Sequence, residues 1–281
     1  METPAQRRFE LSEDEKEKVQ EVRQRPPSAR EVLGILAGSP RLALELAQAG
    51  VRGATQAMRS DPALVWALDT ERVRKVVPDA AHGAVGYGAD AFVNTLLPHL
   101  APENRLLEIG AGGGRVGRMV APHVAHVTLS DISEAVVGEA RANLADLSNV
   151  DFVTTRGFRL EGLPDNAFDV VFGHDVFVHF EPNITLALFD AAKRKLKTDG
   201  LLAASFFTID RSQWRAEHLR VVRQAAAKGR FGSSLPQPYS PEQVRLLLES
   251  VGFDLVEDGH PVAERSSGRH YVVIARARRA G

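Results

Sequence analysis

Apolar and polar residues alternate in two different ways along this chain. Up to about residue 90 the apolar positions recur at helical spacing in segments broken by proline. Pro26-Pro27-Ser28 ends one segment, residues 28–36 and 41–49 flank Gly38-Ser39-Pro40, and Asp61-Pro62 offers a cap and a first-turn proline for another helix. A glycine-rich hinge, Gly83, Gly86 and Gly88 around Tyr87, then leads into an amphipathic segment at 90–100. From Arg105 onward short runs rich in Val, Ile and Phe alternate with helical stretches, the pattern of βαβ units and a parallel sheet. Strands are predicted at 105–109, 126–130, 150–154, 168–173 and 201–207, and helices near 115–123, 133–144, 184–197 and 241–251. Two further strands, near 253–257 and 270–276, are separated by a turn-rich stretch that permits antiparallel pairing. The expected architecture is an α/β, doubly wound, seven-stranded and mostly parallel sheet. It carries an α-helical N-terminal cap or lid over residues 1–90, a main domain over 91–281, and an insertion at 211–239.

Composition narrows the chemistry. The 281 residues include 44% hydrophobic and 25% charged positions, as in ordinary globular proteins. The net charge of −1 supplies no global attraction to nucleic acid or an anionic membrane. Zero cysteine excludes a disulfide framework, a thiolate nucleophile and a cysteine zinc site. The first residues lack the apolar core of a signal peptide and no stretch approaches a membrane span, so a cytoplasmic location is expected.

The stretch Leu106-Leu107-Glu108-Ile109-Gly110-Ala111-Gly112-Gly113-Gly114-Arg115-Val116-Gly117 reads as strand, glycine-rich turn and helix start. Such a turn lets a ligand approach backbone amides at the carboxyl edge of a sheet. Residues 112–117 satisfy G-x-G-x-x-G, the dinucleotide fingerprint, and Asp131 ends the next strand where an acid can grip ribose hydroxyls. On that pattern alone an NAD(P)-dependent oxidoreductase fits. Glu108 argues otherwise, because it brings a carboxylate close to the ligand. At about 7 Å and an effective dielectric near 20, a unit charge pair is worth roughly 2 kcal/mol, repulsive for a pyrophosphate and attractive for a cation.

Glu108, Gly110, Gly112 and Gly114 fill the E/D-x-G-x-G-x-G motif, and here the chain resembles the class I S-adenosylmethionine-dependent methyltransferases. The resemblance continues through Asp131, 23 residues after Glu108, and through Leu163-Pro164-Asp165-Asn166-Ala167-Phe168-Asp169-Val170-Val171. It closes with Leu196-Lys197-Thr198-Asp199-Gly200-Leu201-Leu202, covering about residues 105–207, with a weaker echo at 239–254. It implies a Rossmann-like methyltransferase fold with S-adenosylmethionine as cofactor and S-adenosylhomocysteine as product. Gly110, Gly112 and Gly114 would admit the methionine part, Glu108 would sit near its amino group, Asp131 would accept the ribose hydroxyls, and Ile132 would lie against the adenine. After the third strand many members place an acid or amide for the adenine amine, whereas this chain reads Thr155-Arg156-Gly157-Phe158-Arg159, so Phe158 is a candidate for the adenine slot. Asp131 has a secondary reading as a cap for the following helix, whereas Tyr87 reads equally as a lid residue at the cofactor or a packed loop aromatic, and Asp175 as a site contact or a cap.

The acceptor should meet the cofactor beyond the carboxyl ends of the strands. His174 and His179, after the fourth strand, are candidate bases for a phenol, carboxylic acid or ammonium acceptor, although His179 reads as well as a residue satisfying a backbone carbonyl. Their spacing of five is poor for metal ligation, and no metal is expected. No Asn/Asp-Pro-Pro-aromatic stretch follows the fourth strand, which disfavours exocyclic-amine and glutamine-amide methylation. Trp214, His218 and Tyr239 in the insertion are candidate substrate-lining residues. Residues 193–230 carry ten Lys or Arg against three acids, a net of +7 that reads either as a solvated face or as a surface for RNA or an anionic acceptor. The reading that results is methyl transfer to an oxygen or nitrogen of a small molecule, such as a secondary metabolite, with RNA or protein methylation as the alternative. Homo-oligomerisation is left open.

Overall fold

The computed structural model describes residues 9–24, 28, 30, 31, 34, 72–77, 88–155, 157–209, 212–227, 236–259 and 270–278. They fall into two compact units. One holds the described N-terminal residues with Gly112–Arg115 and Asp131–Asp146; the other holds Gly86–Ala111, Val116–Ser130 and the chain from Leu147. The glycine turn and one helix after the second strand group with the N-terminal residues. The helices expected within 28–36, 41–49 and after Asp61 lie largely outside the described residues.

The second unit is built on a seven-stranded sheet of order β3-β2-β1-β4-β5-β7-β6. Its strands are β1 (Arg105–Ile109), β2 (His126–Asp131), β3 (Val150–Thr154), β4 (Phe168–Gly173), β5 (Leu196–Phe207), β6 (Phe253–Gly259) and β7 (His270–Ala277). The pairs β1–β2, β1–β4 and β4–β5 are parallel; β5–β7 and β6–β7 are antiparallel. Buried residues run almost without interruption along β1, β4 and β5, as central parallel strands covered on both faces require. Strand β5 begins five residues before its expected start. Phe168 pairs with Leu196 but Val170 with Leu201, and the extra residues form an irregularity in which Asp199 takes φ 61°.

Among the described residues the α-helices present along their full length are α1 (Glu13–Gln24), α2 (Ala89–Leu96), α3 (Arg115–Val120), α4 (Glu134–Asn143), α5 (Pro182–Lys195), α6 (Ser212–Ala227) and α7 (Pro241–Ser250). Thus α6 occupies much of the insertion expected at 211–239. Helix α7 starts where Ser240 accepts the Gln243 amide and Pro241 fills the first turn. Phe177, Phe189 and Phe206 meet at ring separations of 5.3–6.1 Å in the main core. Lys195, buried at the end of α5, donates to the Leu163 carbonyl and to Asp165, pinning the loop before β4.

In the first unit Ser12 and Glu15 form a reciprocal capping box that opens α1. Leu11, Val19, Val73 and Val77 form a small apolar cluster, and Arg72 donates to the Val22 carbonyl. Arg74 reaches Glu139 of α4 at 3.1 Å, so residues 72–77 are tied to α4 by a largely buried carboxylate.

Among the described residues no helix is long and apolar enough to cross a membrane.

Candidate active site

The sheet order reverses between β1 and β4: from β1 the chain moves outward through β2 and β3, then returns to add β4 on the other side. Open α/β sheets bind ligands outside the carboxyl ends of the strands at such a switch point. In the second unit the residues there are Glu108 to Gly110 on β1 and Gly173 to Val176 after β4. Glu108 pairs with Phe172, so Gly110 and His174 each lie two residues beyond a paired position. Gly110 has φ 65°, and a Cβ on it would stand 2.6 Å from Val176 Cγ2. Glu108 is buried, its carbonyl accepts the Ser130 hydroxyl at 2.7 Å, and the Ala111 amide donates to the Ser130 carbonyl at 2.9 Å. The end of β2 thereby holds the entry to the glycine turn.

His174 is 9% exposed, with its ring 4.9 Å from that of Phe92 on α2. Asp175 follows in the left-handed region at φ 58°, its amide donating to Ser205 Oγ of β5 at 2.9 Å. A non-glycine residue held in this conformation stores backbone strain of the kind found at ligand sites. His179 is half-buried in the 3₁₀ turn Phe177–His179, where its amide donates to the Val176 carbonyl. Phe158 is half-buried and meets Phe180 edge-on at 5.3 Å.

In the first unit Asp131 is the centre of the site residues. Its Oδ2 accepts the Gly112 amide at 3.2 Å and its Oδ1 the Ser133 amide at 3.0 Å. Burial pushes its carboxyl above the ordinary carboxylate range, partly offset by backbone amides of Ser133, Gly112 and Ile132. A carboxylate is an acceptor-only group with about four lone-pair sites, the chemistry that a vicinal diol needs in a partner. Ser133 caps α4 without a side-chain bond, and Ile132 is half-buried. Gly112 and Gly114 have φ of 55° and 88°, which alternate with residues of ordinary conformation to give the turn its curvature. Asn143, buried at the end of α4, donates from Nδ2 to the Gly113 carbonyl at 3.0 Å.

Three of these supporting residues were absent from the sequence reading. Asn143 and Ser205 are polar residues at positions that the surrounding pattern marks as buried, and Ser130 is a hydroxyl inside an apolar strand. That mismatch was the available signal.

The insertion residues separate. Tyr239 is 3% exposed and lies 5.1 Å from the Phe206 ring, its hydroxyl donating to the Phe180 carbonyl at 2.6 Å and lying 2.8 Å from Thr185 Oγ1. Burial pushes its phenol above the ordinary value. This placement is that of a core residue. Tyr239→Phe is expected to cost about 1–3 kcal/mol of stability by stranding two buried polar groups, with S-adenosylhomocysteine affinity unchanged; denaturant titration and calorimetry check both halves. His218 is half-buried beside Phe207 at 5.4 Å, and burial lowers its imidazole below the usual value. Tyr87 and the side chain of Trp214 lie outside the described residues. Among the described residues no cluster of His, Asp and Glu has the arrangement of a metal site.

Comparison with known proteins bears on this arrangement directly. Residues 106–200, which carry the glycine turn, β2 and β4, match a family model described as a methyltransferase domain. By this match, residues 106–200 form a methyltransferase domain. The chain is 29% identical over 141 residues to a protein-L-isoaspartate O-methyltransferase of Methanoregula boonei, covering 49% of this chain and 65% of that one. The chain spans at most 65% of the length of the curated relatives it matches. Among solved structures, the 1,6-didemethyltoxoflavin-N1-methyltransferase of Burkholderia thailandensis superposes with a TM-score of 0.57 at 21% identity, over 80% of this chain and 89% of that one. The magnesium protoporphyrin IX methyltransferase of Synechocystis superposes with a TM-score of 0.51 at 22% identity, over 67% and 81%. These likenesses show the Rossmann-like methyltransferase fold, and both of those proteins were crystallised with S-adenosylhomocysteine or described with it bound.

Proposed function

We propose that this protein transfers a methyl group from S-adenosylmethionine to an oxygen or nitrogen of a small-molecule acceptor. The observation that carries the reading is the buried, amide-braced carboxylate of Asp131, an acceptor set matched to ribose hydroxyls, at the end of β2 in a methyltransferase domain. The bound cofactor supplies an electrophilic methyl on a sulfonium. The chain's part is to hold the ribose through Asp131 and to place the Glu108 carboxylate as counter-charge for an ammonium group. It also excludes water around the acceptor and removes the acceptor's proton where one is held.

His179 is the residue proposed to take that proton, because the His174 ring is packed on Phe92 while His179 is half-buried in the turn after β4. Part of the basic stretch is committed to carboxylates within the fold, which favours an acceptor of modest size over RNA. Arg194, Lys195 and Lys197 of the stretch that raised the RNA alternative are engaged with Asp190, Asp165 and Asp169. The solved neighbours named for magnesium protoporphyrin IX and 1,6-didemethyltoxoflavin lend the small-molecule reading support by analogy of fold.

The test is calorimetric titration with S-adenosylhomocysteine and with NADPH, followed by transfer of labelled methyl to a panel of phenols, carboxylic acids and amines. Binding of the nucleoside and labelling of a small acceptor are expected. Tight NADPH binding with no response to S-adenosylhomocysteine overturns the reading, and labelling confined to RNA or protein overturns its acceptor class. His179→Gln is expected to lower turnover by roughly 100-fold or more with unchanged S-adenosylhomocysteine affinity. A fully active variant removes the base from this position.

A further inference from the structure

The G-x-G-x-x-G pattern of residues 112–117 ends in a glycine that the E-x-G-x-G-x-G motif leaves unexplained. Gly117 is buried on α3, and a Cβ built on it would stand 2.8 Å from Glu108 Oε2 and 2.8 Å from Leu129 Cδ2. Non-bonded carbon contacts settle at about 3.5–4.0 Å, so a methyl group here must displace both of those side-chain ends, the Glu108 carboxylate among them. Glu108 is 3% exposed, on a strand paired on both sides by β2 and β4, and its carboxylate has little room in which to move.

We infer that Gly117 is a positioning residue: by lacking a side chain it leaves the space in which the Glu108 carboxylate lies, and so sets the location of the negative charge that recognises the ammonium group of the cofactor. The inference rests on the role given to Glu108 under Proposed function. It also accounts for the dinucleotide-like pattern without a dinucleotide, because the last glycine serves a carboxylate behind the turn instead of a diphosphate in front of it. The competing explanation is plain helix-to-strand packing against Leu129, and the two differ in which ligands they affect.

Calorimetry with two ligands separates them. S-adenosylhomocysteine carries the amino-acid portion; 5′-methylthioadenosine has the same adenosine and thioether but no ammonium. Gly117→Ala is expected to weaken S-adenosylhomocysteine about tenfold, through loss of a placed opposite charge, and to leave 5′-methylthioadenosine unchanged. Glu108→Gln should show the same selectivity, and adding Gly117→Ala to it should weaken S-adenosylhomocysteine no further, since both act on one interaction. If Gly117→Ala alone does not fold, the pair G117A/L129V, which removes the leucine methyl facing the glycine, carries the same comparison. Equal loss of both ligands, or additive losses in the double variant, overturns the role of Gly117. A wild-type protein that binds neither nucleoside overturns the functional reading beneath it, a result distinct from unselective loss in the variant.

Discussion

Asp131→Ala will weaken S-adenosylhomocysteine binding by about 2–4 kcal/mol, roughly 30- to 700-fold, because two hydroxyl-to-carboxylate bonds are lost and the diol is left in a desolvated place. Stability without ligand should change far less. The variant strips acceptors from the Gly112 and Ser133 amides, but it also removes a carboxylate that burial penalises. The pH dependence follows from the same burial. Because the folded carboxyl titrates above its unfolded value, the cost of the buried charge is present above the folded pKa. That cost fades as pH falls through it toward 3.8, so acidification relieves this group's contribution to instability. Ligand affinity moves the opposite way, since the ionised form accepts the hydroxyls and is lost on acidification. Calorimetry between neutral and mildly acidic pH should show affinity falling in the wild type but not through this group in Asp131→Ala. Unchanged affinity in the variant at neutral pH would remove Asp131 from the cofactor site.

Gly110→Ala will destabilise the fold by about 2–5 kcal/mol, from roughly 1–2 kcal/mol for a left-handed non-glycine residue and a further 1–3 kcal/mol for overpacking. The physical source is specific: φ of 65°, and a methyl 2.6 Å from Val176 Cγ2. The expected fall in melting temperature is roughly 5–15 °C. Adding Val176→Ala should recover the clash component and leave the backbone component, so the two substitutions will be non-additive. An alanine variant as stable as the wild type would show that the turn relaxes freely, and the argument that Gly110 is fixed by its contact with the segment after β4 would fail.

Legibility varied with the range of the interaction that decided each feature. The limits of β1 and β4 are those expected, since a central strand covered on both faces needs an unbroken apolar run that shows in sequence; the limits of β3, an edge strand, also match. The onset of β5 was not legible, because Lys197, Thr198 and Asp199 are polar and enter the strand only through the irregular pairing with β4. At the site, Asp131 carried both readings and the structure shows why. Its carboxylate accepts the Ser133 amide next to the start of α4 and the Gly112 amide of the glycine turn at once. Tyr239 was invisible as a core residue because its role depends on Thr185 and the Phe180 carbonyl, 54 and 59 residues away in the chain. Asn143 was missed for the same reason, its partner at Gly113 being 30 residues distant.

The chain's own order of residues was sufficient to specify an α/β sheet, a glycine turn of positive-φ positions and a carboxylate at the end of each of the first two strands. Each of these is dictated by local periodicity or by a backbone conformation that glycine adopts without steric cost. Folding in three dimensions decided what those groups touch: that Glu108 lies against Gly117, that Asp131 is braced by two amides, and that His174 packs on Phe92. Contacts between residues far apart in sequence depend on strand order and packing, which a linear pattern of apolar and polar positions does not encode.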